Sequence, residues 1–288
     1  MSQLTRIVRG GDAGDSYNYA PPPGDVLVDT PIDEGRELVE DGPLRRVEVV
    51  HRTYMWEGNR VDTQTRFEQR AGEPFVRIRV DFDNPCDDQR VRVHVPLREP
   101  ADRSYAEGQF AIVERGLEPE GGYGEVAIPT YPASAFVAAG GVAVLLDHVT
   151  EYELAGDELA LTMLRSTGLI SRTQHAWRED PAGPALPIPA AQLRGPRSFS
   201  FAYHPSAEAI VEQAERYRHP FLTRPGTAQA AELGAHSGPV LEGDSNVVLT
   251  AFQPGRARIV NESADPHSVH FAGQRLDLRP WEIRTIST

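Results

Sequence analysis

Residues 61–95 carry the strongest constraint in this chain. Val61, Thr63, Thr65 and Phe67 alternate with Asp62, Gln64, Arg66 and Glu68. Val76, Ile78, Val80 and Phe82 alternate with Arg77, Arg79, Asp81 and Asp83, and Val91, Val93 and Val95 with Arg92 and His94. A period of two belongs to a strand, because successive Cβ atoms point to opposite faces of a sheet. Each run therefore predicts a strand with one buried and one wet face, as in antiparallel sheets. Turn residues separate the runs at Glu57–Gly58–Asn59, Ala71–Gly72–Glu73 and Asn84–Pro85. The outward Arg and Asp rows predict cross-strand ion pairs, each worth at most about 1 kcal/mol and structural in role.

Further along, Phe136–Val137, Val142–Leu146 and Leu159–Leu164 are apolar runs divided by Gly140–Gly141 and Ala155–Gly156–Asp157. The last runs straight into a polar knot, Arg165–Ser166–Thr167–Gly168, and a strand that ends in a charged loop can present a side chain to a ligand. Thr173–Pro196 holds five prolines and no periodicity, the mark of a functional loop or of a strap between sheets. Phe199, Phe201 and Tyr203 form another alternating strand.

One helix is predicted, Ser206 to Tyr217. Ser206 is its expected N-cap, Ala207, Ile210, Val211, Ala214 and Tyr217 share one face, and His219–Pro220 ends it. The tail offers short strands at Val247–Phe252, Ala257–Val260, Val269–Phe271 and Glu282–Ile286. Strands in sequence order with one helix predict an all-β sandwich. Its expected divisions are a sandwich over 1–203, a helix and extended connector over 204–245, and a small β-domain over 246–288.

The net charge of −13 repels phosphates and argues against nucleic acid and anionic membranes as partners. Every basic side chain among the 29 is Arg, which fits a GC-rich coding bias better than a guanidinium-specific function. Cys86 stands alone, so an internal disulfide and a cysteine zinc site are both excluded. Without a secretory pattern or an apolar run near 18 residues, the expectation is a soluble, cytoplasmic protein, in which Asn261–Glu262–Ser263 is a chance glycosylation match.

Few motifs carry chemistry. The Gly-rich loop at 10–15 lacks the Gly-Lys-Ser/Thr of a phosphate cradle. Asp12 and Asp15 are two carboxylates where Ca²⁺ wants six or more oxygens, so a tight turn exposing Tyr17 is the better reading. None of the nine histidines has Asp two residues later, and His267 and His270 fall on opposite faces of their strand. No Gly-x-Ser-x-Gly supports a serine nucleophile.

The segment Gly11-Asp12-Ala13-Gly14-Asp15-Ser16-Tyr17-Asn18-Tyr19-Ala20-Pro21 is similar to the GD-x-GDSY-x-Y-x-P segment of glycoside hydrolase family 38, the α-mannosidases. Tyr131–Arg172 resembles the β-rich C-terminal half of the same family. Arg66–Pro96, Phe110–Leu117, Gly183–Leu193 and Leu278–Ile286 match further family stretches in family order. The resemblance implies a two-sheet supersandwich of the galactose-mutarotase-like type. It also implies a partner: a zinc-dependent catalytic barrel, in the same polypeptide or a separate one, which supplies both the zinc and the two carboxylates of a retaining mechanism. That barrel would precede residue 1, and this chain by itself would bind no cofactor and hydrolyse nothing. Tyr17 and Arg165 match the tyrosine and arginine that the family's β-half lends to the rim of the site for mannose-containing carbohydrate. Tyr17 fits better than Tyr19, standing four residues before Pro21.

Two other readings share the fold. A stand-alone carbohydrate-binding or scaffold module would need an exposed aromatic platform, and Trp56, Trp177 and Trp281 are scattered. An epimerase-type enzyme would need a convergent His/Glu site, with His51, His94, His148 and His204 as candidates.

Overall fold

The computed structural model describes residues 4–119, 121–122, 126–220, 226 and 238–288. Two compact units emerge, one of residues 1–106 and 114–207, the other of residues 107–113 and 208–288. The connector expected over 204–245 lies partly outside the described residues.

The first unit holds two antiparallel sheets whose strands follow the alternation closely. They are β1 (Arg6–Gly11), β2 (Asp33–Asp41), β3 (Arg45–Trp56), β4 (Asn59–Arg70), β5 (Val76–Asn84), β6 (Gln89–Pro96), β7 (Arg103–Glu107), β8 (Ile112–Gly116), β9 (Tyr131–Pro132), β10 (Phe136–Ala139), β11 (Val142–Leu146), β12 (Glu151–Ala155), β13 (Glu158–Arg165) and β14 (Gly195–His204). One sheet orders them β1-β6-β13-β12-β9, the other β2-β3-β4-β5-β14-β11-β10-β7-β8. In the longer sheet β14, the last of these strands in sequence, sits in the middle and joins β5 to β11. Glu57 and Gly58 form the two-residue β3–β4 turn with φ of 49° and 79°, the mirror-image turn that matches strand twist.

The core lies between the two sheets. Ile7, Val91, Val93, Val95, Leu159 and Leu161 come from one, and Tyr54, Trp56, Phe67, Ile78, Val80, Val144 and Phe201 from the other. At about 25 cal/mol per Å² of apolar surface, each of these large side chains contributes roughly 1.5–3 kcal/mol. The fold is an all-β sandwich, as the alternation predicts.

Three expectations need correction. The outer face of β6 is not wet: Arg90 and His94 are buried there, because Arg90 lies 4.4 Å over the Tyr19 ring and His94 Nδ1 meets Glu158 at 2.9 Å. On β4 and β5, Arg66, Arg70 and Arg79 take carboxylates two residues away along their own strand, at 3.4, 2.6 and 2.9 Å. Arg79 stands directly opposite Arg66 on β4 and Ser200 on β14, so neither cross-strand position offers it a carboxylate. The helix, α1 (Ile210–Arg218), begins four residues later than predicted. Ala209 takes φ 48° at its N-cap, a turn that leaves Ser206 and Ala207 outside, while Ile210, Val211, Ala214 and Tyr217 are buried as expected.

In the second unit β15 (Val247–Gln253), β16 (Arg256–Asn261) and β19 (Ile283–Ser287) form one sheet. A hairpin of β17 (His267–Phe271) and β18 (Gln274–Leu278) forms a separate two-stranded sheet, and β18 has no counterpart among the expected strands. Asn261 is wholly buried and donates to the carbonyls of Asp265 and Arg279, so it offers no site for a glycan. Glu262 is buried too, and burial first, then Glu107 and Glu215, push its carboxyl up to about 7 against Arg218.

Candidate functional site

Strand pairing explains why residues far apart in sequence meet. Gly11 at the end of β1 pairs with Gln89 on β6, and Arg90 next to it pairs with Arg165 at the end of β13. The loop that leaves β1 and the polar knot that leaves β13 thus emerge at one end of one sheet.

The loop itself is too irregular for ladder bonds, so its side chains satisfy its backbone. Asp12 accepts from the N–H of Gly14 at 2.8 Å and of Ala20 at 3.3 Å, and from Arg165 Nε at 2.6 Å. Asp15 accepts from the N–H of Tyr17, Asn18 and Arg172 at 3.0, 3.2 and 2.7 Å, and from Arg178. Gly14 is required: a Cβ there would lie 2.0 Å from the Asn18 carbonyl oxygen. Both carboxylate side chains are fully buried.

Their electrostatics differ. Burial raises the Asp12 carboxyl above its ordinary value, with Arg165 pulling against it. Its three contacts are all donors, so a proton on Asp12 would have no acceptor, and the carboxylate stays ionised beside Arg165. Burial would raise Asp15 as well, but the N–H groups of Arg172, Asn18 and Tyr17 together with Arg178 outweigh it, and its carboxyl lies below the ordinary range.

Arg165 spends its guanidinium on the loop. Besides Asp12 it donates to the carbonyls of Asn18, at 2.6 Å, and of Asp15. These carbonyls flank Tyr17, so the two residues singled out in the sequence do come together, one as clamp and the other as cargo. The Tyr17 side chain stands out from the loop, 55% exposed, with the Arg178 guanidinium 5.9 Å from its ring centre. Tyr19, by contrast, is packed against Arg90.

The sequence did not single out the segment from Ile170 into the proline-rich strap as the other half of this clamp. Arg172 Nε donates to the Gly14 carbonyl at 2.7 Å, Ser16 Oγ to the Ile170 carbonyl at 2.7 Å, and Arg178 also to Asn18 Oδ1. At the strap's far end Gln192 exchanges hydrogen bonds with Asp88 at 2.8 Å each way. The sequence hid this pairing: Arg9 stands three residues before Asp12, and Glu179 and Asp180 directly follow Arg178, so nearer partners were on offer for both.

Other candidates do not assemble. His94 and Glu158 touch, but His94 Nε2 is buried without a partner and Glu158 is engaged by Arg6. His51 and His204 belong to the other sheet, and His148 follows β11 in that sheet. A groove of about 460 Å³ crosses β3, β4, β5 and β14, lined by His51, Gln64, Asp81 and Ser198 in register; neither Tyr17 nor Arg165 lines it. Among the described residues no three His, Cys, Asp or Glu side chains come together in a way that could hold a metal ion, and none of the helices is long and apolar enough to cross a membrane.

Residues 7–169 match the family model described as the glycosyl hydrolases family 38 C-terminal domain. A protein of Halalkalibacterium halodurans named "Putative mannosylglycerate hydrolase" is 26% identical over 111 residues, 38% of this chain and 12% of that protein. Two solved structures from Enterococcus faecalis resemble the whole fold. One is an α-mannosidase of strain V583, with TM-score 0.76 and 17% identity over 99% of this chain and 38% of its own. The other is a protein in glycosyl hydrolase family 38, with TM-score 0.77 and 20% identity over 99% of this chain and 40% of its own. The chain therefore spans well under half the length of each of these relatives.

Proposed function

The chain belongs to the family of glycosyl hydrolase family 38 C-terminal domains, and from that premise we propose that it is the non-catalytic β-sandwich portion of a retaining α-mannosidase-type glycosidase. In this reading it packs against a zinc-dependent catalytic barrel and lends Tyr17 to the rim of the sugar site. The substrate would be an α-mannoside, as the names of its relatives suggest.

One observation carries the reading: an exposed tyrosine is mounted on a loop clamped by two buried ion pairs, Asp12–Arg165 and Asp15–Arg178. Burying charge is costly and seldom adds net stability, so an ordinary turn has no use for such a mount. A phenol held in a fixed direction can orient a sugar hydroxyl, which is how positioning lowers a barrier. Arg165 then acts through the loop it holds.

The same geometry assigns no catalysis to this edge. A retaining glycosidase needs one carboxylate as nucleophile and another as acid, about 5–5.5 Å apart. Asp12 and Asp15 are both consumed by arginines and backbone N–H groups, so neither is available to attack or to protonate. The described residues bring together no ligand set that fits zinc.

The test is complementation. This chain, assayed alone with an aryl α-mannoside and Zn²⁺, should give no turnover, and co-expression with a family-38 catalytic barrel should restore it. Zinc-dependent turnover by the repurified chain alone, or a barrel that never binds it, would overturn the reading.

A further inference from the structure

The Tyr17 ring faces the strap at Gly183 as well as at Arg178. A Cβ built on Gly183 would meet three atoms first, all of Tyr17: Oη at 3.1 Å, Cε2 at 3.6 Å and Cζ at 3.7 Å. The Gly183 backbone does not adopt the left-handed conformation that reserves a position for glycine. What excludes a side chain there is the tyrosine and not the chain's own torsion.

We infer that Gly183 is the seat of the Tyr17 ring and, with Arg178 beside that ring, fixes the direction in which Tyr17 presents its hydroxyl. Position 183 thereby sets the geometry of the rim, an assignment that rests on the reading of Tyr17 as a rim residue. The two contacts divide the work. Arg178, held by Asp15 and Asn18, places its planar cation near the ring, where the ring's negative face attracts it. Gly183 leaves the hydroxyl end room to lie against the strap, at a separation tighter than most Cβ contacts would tolerate. A methyl at 183 pushes the ring by a few tenths of an ångström and a larger side chain lifts it off. Tyr17 is exposed, so it can yield by turning about its own χ angles without disturbing the core.

Fluorine NMR of the full chain tests this directly. The nine tyrosines, labelled as 3-fluorotyrosine, give one line each, and Tyr17→Phe identifies the line of Tyr17. Gly183→Ala should move that line alone, Gly183→Val should move it further, and the melting temperature should stay where it was. Arg178→Lys, which keeps the charge but withdraws the planar group, should shift the same line. If the Tyr17 line stays in place in Gly183→Val, or if the other eight lines move with it, the seat is wrong. A titration with methyl α-mannoside, carried out on the labelled chain bound to a family-38 catalytic barrel, separates the premise from the seat. A Tyr17 line that ignores the sugar but obeys residue 183 removes the rim reading and leaves the seat standing.

Discussion

Asp15→Asn is the sharpest perturbation of the clamp, because it keeps the shape of the side chain and removes only its charge. The Asp15 carboxylate takes four donors: Tyr17 and Asn18 N–H on Oδ1, Arg172 N–H and Arg178 on Oδ2. An amide can satisfy only one pair. If its oxygen faces Tyr17 and Asn18, its NH₂ points at two other donors, and the Arg178 cation is left buried with no counter-charge on Asp15. Breaking a buried pair from one side costs about 3–5 kcal/mol. That is a large part of a stability of roughly 5–15 kcal/mol. At about 2–4 °C per kcal/mol for a unit of this size, the melting temperature should fall by roughly 6–20 °C. Urea unfolding followed by near-UV circular dichroism measures the loss, and Arg178→Met completes a double-mutant cycle. Because Asp15 retains three backbone donors when Arg178 goes, the second variant should cost less than the first, and the pair less than their sum by about 0.5–3 kcal/mol. A loss below about 1 kcal/mol for Asp15→Asn, or additive costs, would refute the claim that charge pairing holds this loop. Acid should act in the same direction: the depressed Asp15 value means that its contribution is full above about pH 4 and disappears as pH falls through the lower folded value.

Two further outcomes follow from single groups. Glu262 has a folded value near 7 against about 4.3 unfolded, so the native state holds the proton more tightly between those values and stability falls as pH rises through them. Glu262→Gln should flatten that slope and leave the chain about 3–4 kcal/mol more stable than the parent above pH 7; unchanged urea midpoints at pH 5 and pH 8 would contradict it. Gly14→Ala places a methyl against the Asn18 carbonyl and, at 2.7 Å, the Ala20 nitrogen, backbone atoms that cannot swing aside. It should cost at least about 1–3 kcal/mol and expose the loop to proteolysis, whereas a neutral substitution would mean that the loop is not built as described.

The strands were legible because alternation is local: Phe67, Ile78 and Val93 announce their faces to anyone counting by two. What stayed hidden is what a second layer does to the outer face. Nothing near Arg90 says that Tyr19, some 70 residues earlier, will lie across it. The start of α1 was misplaced because Ser206 is a good cap in isolation, while the turn at Ala209 depends on a conformation that alanine rarely announces. At the candidate site, resemblance pointed to Tyr17 and Arg165, but the clamp was invisible. Asp15 and Arg178 stand 163 positions apart, and only the shared end of β1, β6 and β13 brings their loops together. Likewise β18 was missed because Leu276 and Leu278 are too few to show a period.

The central place of β14 sets a timetable for biosynthesis. While the ribosome makes residues 33–194, the meander β2–β5 and the hairpin β10–β11 can each form, yet nothing joins them across the long sheet. β5 waits with a nine-residue edge unpaired and β11 with one of four, until Gly195–His204 appears and closes both. Open edges of this kind recruit other strands, including those of neighbouring nascent chains. A ribosome stalled before residue 195 would therefore leave a nascent chain with two adhesive borders, and the arginine-and-aspartate outer rows of β5 are the nearest charges available to keep that border from the wrong partner.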